Sequence, residues 1–328
     1  MPERKFATIL GIYGRPADRF MGVGYKDNVP DLFERLKIAG QQDLVSGVEL
    51  IEGQEDDVNR HNYRQVRQAV QDNGVVVCSL NPNLWGERQW ARGSLGSRQT
   101  ATRQQAIERV KAAMDLASEL DCPAVGIWPG QDGYDYVFEE DYQKMYDNWV
   151  AAIQECADYN PAIKLALEYK PYEPRTHSTI DTAPKTLLMI NDIERPNVGM
   201  VLDVGHALVQ HENLGDVVHL AQRRKKLFHL HLNDNYADWD WDMNFASVRL
   251  FEFIEMLYWL KRTGYDGWYS IDIFAYRTDG PASVYESLAW LETLLCFVEQ
   301  NGQQTFTSLI ERNDPIATAQ FFRQALFK

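Results

Sequence analysis

The segment Glu168-Tyr-Lys-Pro-Tyr-Glu-Pro-Arg175 sets a carboxylate and an ammonium two residues apart, where the apolar run Ile163 to Leu167 stops. Residues i and i+2 of a strand share a face, so Glu168 and Lys170 are expected to project together beyond the strand's C-terminal end. A metal-binding carboxylate beside a cation that can polarise a substrate oxygen is a catalytic pairing. Later segments supply partners: Val201-Leu-Asp203-Val-Gly-His206, Phe228-His-Leu-His231-Leu-Asn233-Asp234 and Ser270-Ile-Asp272-Ile273. Each closes an apolar run with a potential ligand. The carboxylates of Glu168, Asp203 and Asp272 with the His231 imidazole make a hard, oxygen-rich set, which suits Mg²⁺, Mn²⁺ or Co²⁺ better than Zn²⁺. Asp238-Trp-Asp240-Trp-Asp242 then places a carboxylate at every second position. Together with His206 it could hold a second cation, with Asp203 shared between the two.

Each residue also has a plainer reading. Asp203 could simply cap the helix that follows it. His229 and His231 share a strand face, and His229 could be a hydrogen-bonded core histidine. The Asp238–Asp242 run could be a solvated acidic loop. Asp272 is harder to place this way, because a lone carboxylate in an apolar strand costs several kcal/mol unless paired or metal-bound, on the order of 3–5 kcal/mol. Four independent accidents at four successive strand ends are improbable, so the catalytic reading is preferred.

The elements that must position these residues are legible as alternating periods. Strands are predicted near Ala7–Tyr13, Gly47–Ile51, Val75–Leu80, Ala124–Trp128, Ile163–Tyr169, Val198–Leu202, Leu227–Leu232 and Trp268–Ile273. Helical patterns lie near Val29–Gly40, Tyr63–Asn73, Gln99–Leu120, Glu140–Tyr159, Ala183–Asp192, Gly215–Arg224, Phe251–Arg262 and Ser283–Glu299. Strands alternating with helices imply a parallel sheet, and eight such units favour a closed α/β (β/α)8 TIM barrel over an open sheet. No G-x-G-x-x-G follows the first strand, where the chain reads Gly11-Ile-Tyr-Gly-Arg-Pro16, so dinucleotide binding is a weak reading. The barrel is expected to span residues 1–300. Residues 301–328 form a tail with a helix near Pro315–Leu326, whose Ile316, Ala319, Phe321, Phe322 and Leu326 could pack on this barrel or on a neighbouring subunit.

Bulk composition narrows the function classes. Of 328 residues, 33 are Lys or Arg and 47 are Asp or Glu, a net charge of −14. That field repels phosphate backbones and anionic membranes, so neither nucleic acid nor membrane is an expected partner. Cys78, Cys122, Cys156 and Cys296 are scattered in apolar contexts with no CxxC pair, the pattern of reduced core thiols. The opening residues lack the apolar stretch of a signal peptide, and no run approaches the roughly 20 apolar residues of a membrane span. A cytoplasmic location is expected.

The motifs resemble those of the xylose isomerase-like TIM barrels, specifically the metal-dependent aldose–ketose isomerases such as xylose isomerase and L-rhamnose isomerase. Residues 168–175 are similar to Glu-Pro-Lys-Pro-Asn-Glu-Pro-Arg of xylose isomerase, and Leu227 to Asn233 to its Leu-Phe-His-Ile-Asp-Leu-Asn strand. Asp240-Trp-Asp242 sits where the family carries Asp-x-Asp. Tyr265-Asp-Gly267, Asp272 and Arg277-Thr278 resemble its last strand, and Trp128-Pro-Gly-Gln-Asp-Gly-Tyr134 its sugar-pocket loop. Gly93-Ser-Leu95 with Arg103 echoes the segment after strand three. The resemblance runs from about Ser79 to Arg277.

It implies one metal held by Glu168, Asp203, His231 and Asp272, and a second by Asp203, His206, Asp240 and Asp242. Lys170 would polarise the carbonyl of a ring-opened sugar while a hydride moves between C1 and C2. Lys170, Asp240 and His206 are the expected catalytic groups. Trp128, Trp85, Glu173 and Arg175 are expected at the substrate, the tryptophans keeping bulk water away. A homodimer or homotetramer is also implied. Three departures stand out. Asp203 replaces a Glu and His231 an Asp, both more like the L-rhamnose isomerase branch. At strand two, Ile51 stands where xylose isomerase carries its ring-opening His. A sugar that opens without help, such as the branched, furanose-only tetrose D-apiose, is therefore the expected substrate. Competing readings are a ketose 3-epimerase, a barrel endonuclease for abasic DNA, and a non-catalytic metal-dependent sugar-binding protein. Seven histidines and the acidic charge argue against the endonuclease.

Overall fold

In the computed structural model of the chain, residues 4–14, 16–53 and 57–326 are described. The first three positions, and Phe327 and Lys328 of the tail, lie outside the described residues. Eight parallel strands close a barrel in the order β1-β10-β9-β8-β6-β4-β3-β2. They are β1 (Phe6–Ile9), β2 (Gly47–Glu52), β3 (Val76–Pro82), β4 (Ala124–Ile127), β6 (Lys164–Glu168), β8 (Val198–Asp203), β9 (Leu227–Leu232) and β10 (Tyr269–Ile271). All eight predicted strands are present. The first is shorter than expected, because Leu10–Tyr13 turns into a single 3-10 turn rather than continuing the strand.

Helices α1 (Leu32–Gly40), α2 (Tyr63–Asp72), α3 (Thr100–Glu119), α4 (Tyr142–Tyr159), α5 (Ala183–Ile193), α7 (Leu214–Arg223), α8 (Leu250–Thr263) and α9 (Gly280–Arg312) form the outer ring. Their starts carry the local chemistry that the sequence signals. Asp31 and Glu34 form a reciprocal capping box on α1, and Thr182 and Asn213 cap α5 and α7 through their side chains. Gly264 ends α8 in the left-handed region at φ 72°.

Two features were not legible from periodicity. One is a short helix, α6 (Val204–Val209), directly after β8. The other is a two-stranded antiparallel sheet of β5 (Gly133–Tyr134) and β7 (His177–Ser178), which joins the loops after β4 and β6. The last barrel helix also runs further than expected, to Arg312, broken at Gly302 where φ is 74°. Helix α10 (Pro315–Leu326) folds back onto its own barrel: the Phe322 ring lies 5.2 Å from Phe251 and Phe321 lies 5.8 Å from Phe306. Ile316 stays exposed. Among the described residues no helix is long and apolar enough to cross a membrane.

Candidate active site

Parallel strand registers deliver the ligands to one end of the barrel. Asp203 at the end of β8 pairs in register with His231 of β9, which pairs in turn with Ser270 of β10. The Asp272 amide, just past β10, donates to the Leu232 carbonyl at 3.1 Å. Glu168 closes β6 beside Val201. One oxygen or nitrogen from each of Glu168, Asp203, His231 and Asp272 lies within 4.8 Å of all the others. His231 Nδ1 is 3.1 Å from Asp272 Oδ2 and 3.4 Å from Glu168 Oε1. This is the first set expected from sequence, brought together.

A second set comprises Asp203, His206 and Asp240, again within 4.8 Å of one another. His206 rides on α6, and its start explains the short helix. Asp203 Oδ1 accepts the His206 backbone N–H at 3.0 Å, so the same carboxylate caps the helix and belongs to both sets. The helix-cap reading of Asp203 holds, and the same carboxylate stands among both groups of candidate ligands. Gly205 lets α6 approach so closely, since a Cβ there would fall 2.3 Å from Asn233 Oδ1 and 2.9 Å from Asp240 Oδ1. Asp242 lines the same cavity but does not join the three atoms of the second set.

Lys170 is buried against this second set. Its Nζ lies 2.8 Å from Asp240 Oδ2 and 2.9 Å from Glu173 Oε2, and 5.6 Å from the centre of the Trp128 ring. His206 Nε2 contacts the same Asp240 oxygen at 3.0 Å. The Asp238–Asp242 loop is thus not uniformly solvated: Asp238 is exposed while Asp240 is buried.

The cavity has a volume of about 330 Å³, room for a small sugar. Its lining includes Glu168, Lys170, His206, His231 and the Asp240, Asp242 and Asp272 carboxylates. Apolar Ile9, Leu10, Leu50 and Ile51 also line it. Trp85 and Trp128 both line it, their rings edge to face at 5.3 Å. Arg175 is not brought to the cavity. Its guanidinium pairs with Asp135 at 2.6 Å beside the β5–β7 sheet, so its expected place at the substrate gives way to tying that loop pair together. The loops after β3 and β4, both singled out by motif, are joined through buried Asp132, which accepts from Ser94 N at 2.9 Å, Ser94 Oγ at 2.5 Å and Gly96 N at 3.0 Å.

Burial and mutual charge set the protonation states. Burial opposes charge on Glu168, but His231 and His206 outweigh it and hold the carboxyl below its ordinary value. Burial also raises Asp203, to about 6, because the nearby Asp240, Glu168 and Asp272 offset the help from His206. His206 would be lowered by burial, yet Asp203 and Asp240 push it up to about 9. Lys170 is held well above its usual range, since Asp240, Asp242 and Glu173 overcome its desolvation. Burial and the neighbouring Asp240 drive Asp242 well up.

The arrangement fits divalent cations. Buried His206 Nδ1, His231 Nδ1 and Asp240 Oδ1 have no hydrogen-bond partner among the described residues. Each such atom costs about 1–3 kcal/mol if left unmet. A cation among the carboxylates would satisfy them, and the donor set is that of a hard metal.

Sequence reasoning missed three polar contributors. Asn233 Nδ2 donates to both Asp203 oxygens at 3.2 and 3.0 Å. Asp234 accepts from Val248 N and Arg249 N and anchors the loop after β9. Glu49 of β2 lies between two histidines, His229 Nε2 at 2.8 Å and His231 Nε2 at 3.2 Å. His229 is thus the hydrogen-bonded core histidine that its plainer reading described. A buried Glu in an otherwise apolar strand was the available signal for Glu49.

The profile of the xylose isomerase-like TIM barrel matches residues 33–294. The chain belongs to this family. The xylose isomerase of Thermus thermophilus is 28% identical over 230 residues, which make up 68% of this chain and 59% of that protein. The chain thus spans about three fifths of the length of this relative. Among solved structures, a D-psicose 3-epimerase with D-tagatose from Clostridium cellulolyticum H10 superposes with a TM-score of 0.71 at 14% identity, covering 89% of this chain and 99% of that one. An L-ribulose 3-epimerase gives a TM-score of 0.72 at 16% identity, covering 94% and 98%. At these identities the likeness is one of fold.

Proposed function

We infer that the protein is a divalent-metal-dependent aldose–ketose isomerase acting on a small sugar, with conversion of D-apiose to its ketose, D-apulose, as the specific reading. The observation that carries it is the buried Lys170–Asp240–His206 chain, which runs into a second ligand set that shares Asp203 with the first. A proton-transfer epimerase built on one metal and two carboxylates has no use for that chain.

Glu168, Asp203, His231 and Asp272 would hold one Mg²⁺ or Mn²⁺, with Co²⁺ also chemically suited, and Asp203, His206 and Asp240 a second, with Asp242 beside it. When bound, such ions supply Lewis-acid stabilisation of negative charge on sugar oxygens. Lys170, kept charged by its acidic neighbours, would donate to the substrate carbonyl oxygen. Asp240 Oδ2 positions both the Lys170 ammonium and the His206 ring. Trp85 and Trp128 would shield the reacting carbons from water. The net reaction moves hydrogen with its electron pair from C2 to C1. The C2 hydroxyl proton is transferred to the C1 oxygen, so an aldehyde becomes a primary alcohol and a carbinol becomes a ketone.

Ile51 lines the cavity where the family's ring-opening histidine is expected. This supports a sugar that presents its open form readily, hence a furanose-only aldose. Equal turnover of pyranose-locked and furanose sugars would overturn that part. A ketose 3-epimerase is the second reading, favoured by Glu168 and Asp272, two carboxylates within one ligand set.

One experiment separates them: proton NMR of D-apiose, L-rhamnose, D-lyxose and D-xylose with Mg²⁺-loaded enzyme in D2O. A ketose without solvent deuterium at C1 is expected. Deuterium in the product would instead indicate an enediol proton transfer and move the assignment toward the epimerase.

A further inference from the structure

Glu49 is buried in the barrel at the edge of the cavity, and its carboxylate meets ring nitrogens of the facing strand. Its Oε1 accepts from His229 Nε2 at 2.8 Å and its Oε2 from His231 Nε2 at 3.2 Å. A carboxylate has no proton to give here, so both hydrogen bonds require the proton on Nε2 of each ring. For His231 that choice has a consequence at the other nitrogen. Its Nδ1 has no hydrogen-bond partner among the described residues and lies 3.1 Å from Asp272 Oδ2, 3.4 Å from Glu168 Oε1 and 3.9 Å from Asp203 Oδ2.

We propose that Glu49 is the positioning residue of the first metal set: it fixes His231 with Nε2 protonated and Nδ1 facing the carboxylates, and His229 braces Glu49 from the other side. The inference rests on the reading of that set as a metal centre. His229 and His231 alternate on β9 and their rings pack edge to face at 5.3 Å, beside the carboxylate they share. Cys78 of β3 completes the enclosure, its thiol directed to the Val48 carbonyl at 3.4 Å. Glu49, Cys78 and His229 also lie within 4.8 Å of one another. However, Glu49 is already engaged by two N–H donors and the thiol is kept protonated by burial. That group is therefore a brace rather than a third cation site.

Carboxylates that receive the free N–H of a metal-binding histidine typically contribute 10–100-fold in metal affinity. Glu49→Gln is the informative variant. It keeps the volume but offers one accepting oxygen and one amide N–H2, so only one of the two rings can retain its bond. Calorimetric titration with Mn²⁺ alone is expected to show a Kd weakened about 10–100-fold. In ¹⁵N-resolved histidine spectra of the diamagnetic Mg²⁺-loaded chain, the wild type is expected to show protonated Nε2 on both rings, and the variant to lose this on one.

An unchanged Kd in a folded Glu49→Gln chain whose His231 has lost the Nε2 proton would overturn the proposal. So would an unprotonated Nε2 on His231 in the wild type, a measurement that needs no variant to fold. If the wild-type chain itself bound no Mn²⁺, the metal-centre reading would fail. The histidine spectrum of the metal-free chain, taken at a pH where His231 has lost its second proton, would then still decide which nitrogen Glu49 keeps protonated.

Discussion

Lys170 and Asp240 form a buried ion pair at 2.8 Å, although they come from loops on two different strand ends. The lysine lies two residues beyond β6 and the aspartate eight beyond β9. Such a pair is costly to assemble and very costly to break, since either partner left alone is a charge without water. A lysine placed so is held for its charge at one point.

Lys170→Met tests that placement. Neither set that could hold a metal contains Lys170. Mn²⁺ binding is therefore expected to persist by calorimetry, while turnover falls about 10²–10³-fold, the usual cost of one electrostatic donor. Near-normal turnover would show that the ammonium has no part in the reaction.

Asp272→Asn addresses the first set. The amide can present the wrong atom to a cation and cannot match the charge of the carboxylate 3.1 Å from His231 Nδ1. Mn²⁺ affinity is expected to fall by more than about 100-fold, beyond the effect of an outer partner. Binding equal to wild type would remove Asp272 from the ligands.

Protons compete with metal at both sets, which gives a signed pH dependence. His206 stands at about 9 against an ordinary 6.5, and His231 is raised well above its ordinary value by Glu49, Glu168 and Asp272 despite its burial. A cation must displace these protons, so Mn²⁺ affinity is expected to rise as pH climbs from 6 toward 9. The metal-free chain runs the other way. Folded His206 keeps a proton that the unfolded chain gives up near 6.5, so its contribution to stability is complete below that pH and is lost by about 9. Asp203, raised to about 6, adds to the same trend at lower pH, since folding disfavours its charged form. Urea melts at pH 6.5 and 9, with and without Mg²⁺, should show the metal-free chain weakened at the higher pH and the loaded chain protected. An absence of any such crossing would refute the protonation scheme.

Asp132→Ala would leave Ser94 N, Ser94 Oγ and Gly96 N without their shared acceptor in a buried place. A loss of about 2–3 kcal/mol by denaturant unfolding is expected, on the scale of unmet buried donors. A loss below 0.5 kcal/mol, roughly the scatter of surface changes, would mean that the two loops hold without it.

Much of this was readable beforehand. Strand ends that break an apolar run with a carboxylate or histidine are conspicuous, and Glu168, Asp203, His231 and Asp272 converge as their positions suggested. Residues whose roles depend on a partner distant in sequence were less visible. Glu49 meets His229 across 180 positions, and Arg175 is drawn from the substrate side by Asp135, 40 positions away. Helix α6 escaped for a local reason: six residues show less than two turns of periodicity, so its only signal was the cap.

That cap has a consequence for how this barrel can change. Asp203 starts a helix with one oxygen and belongs to both ligand sets. A phenotype from replacing it with Ala would confound loss of backbone order with loss of chemistry. Asn, which retains an acceptor for the His206 amide, is the substitution that separates the two. Under selection the first turn of α6 and the ligand sets form one heritable unit, and drift at this aspartate would surrender both together.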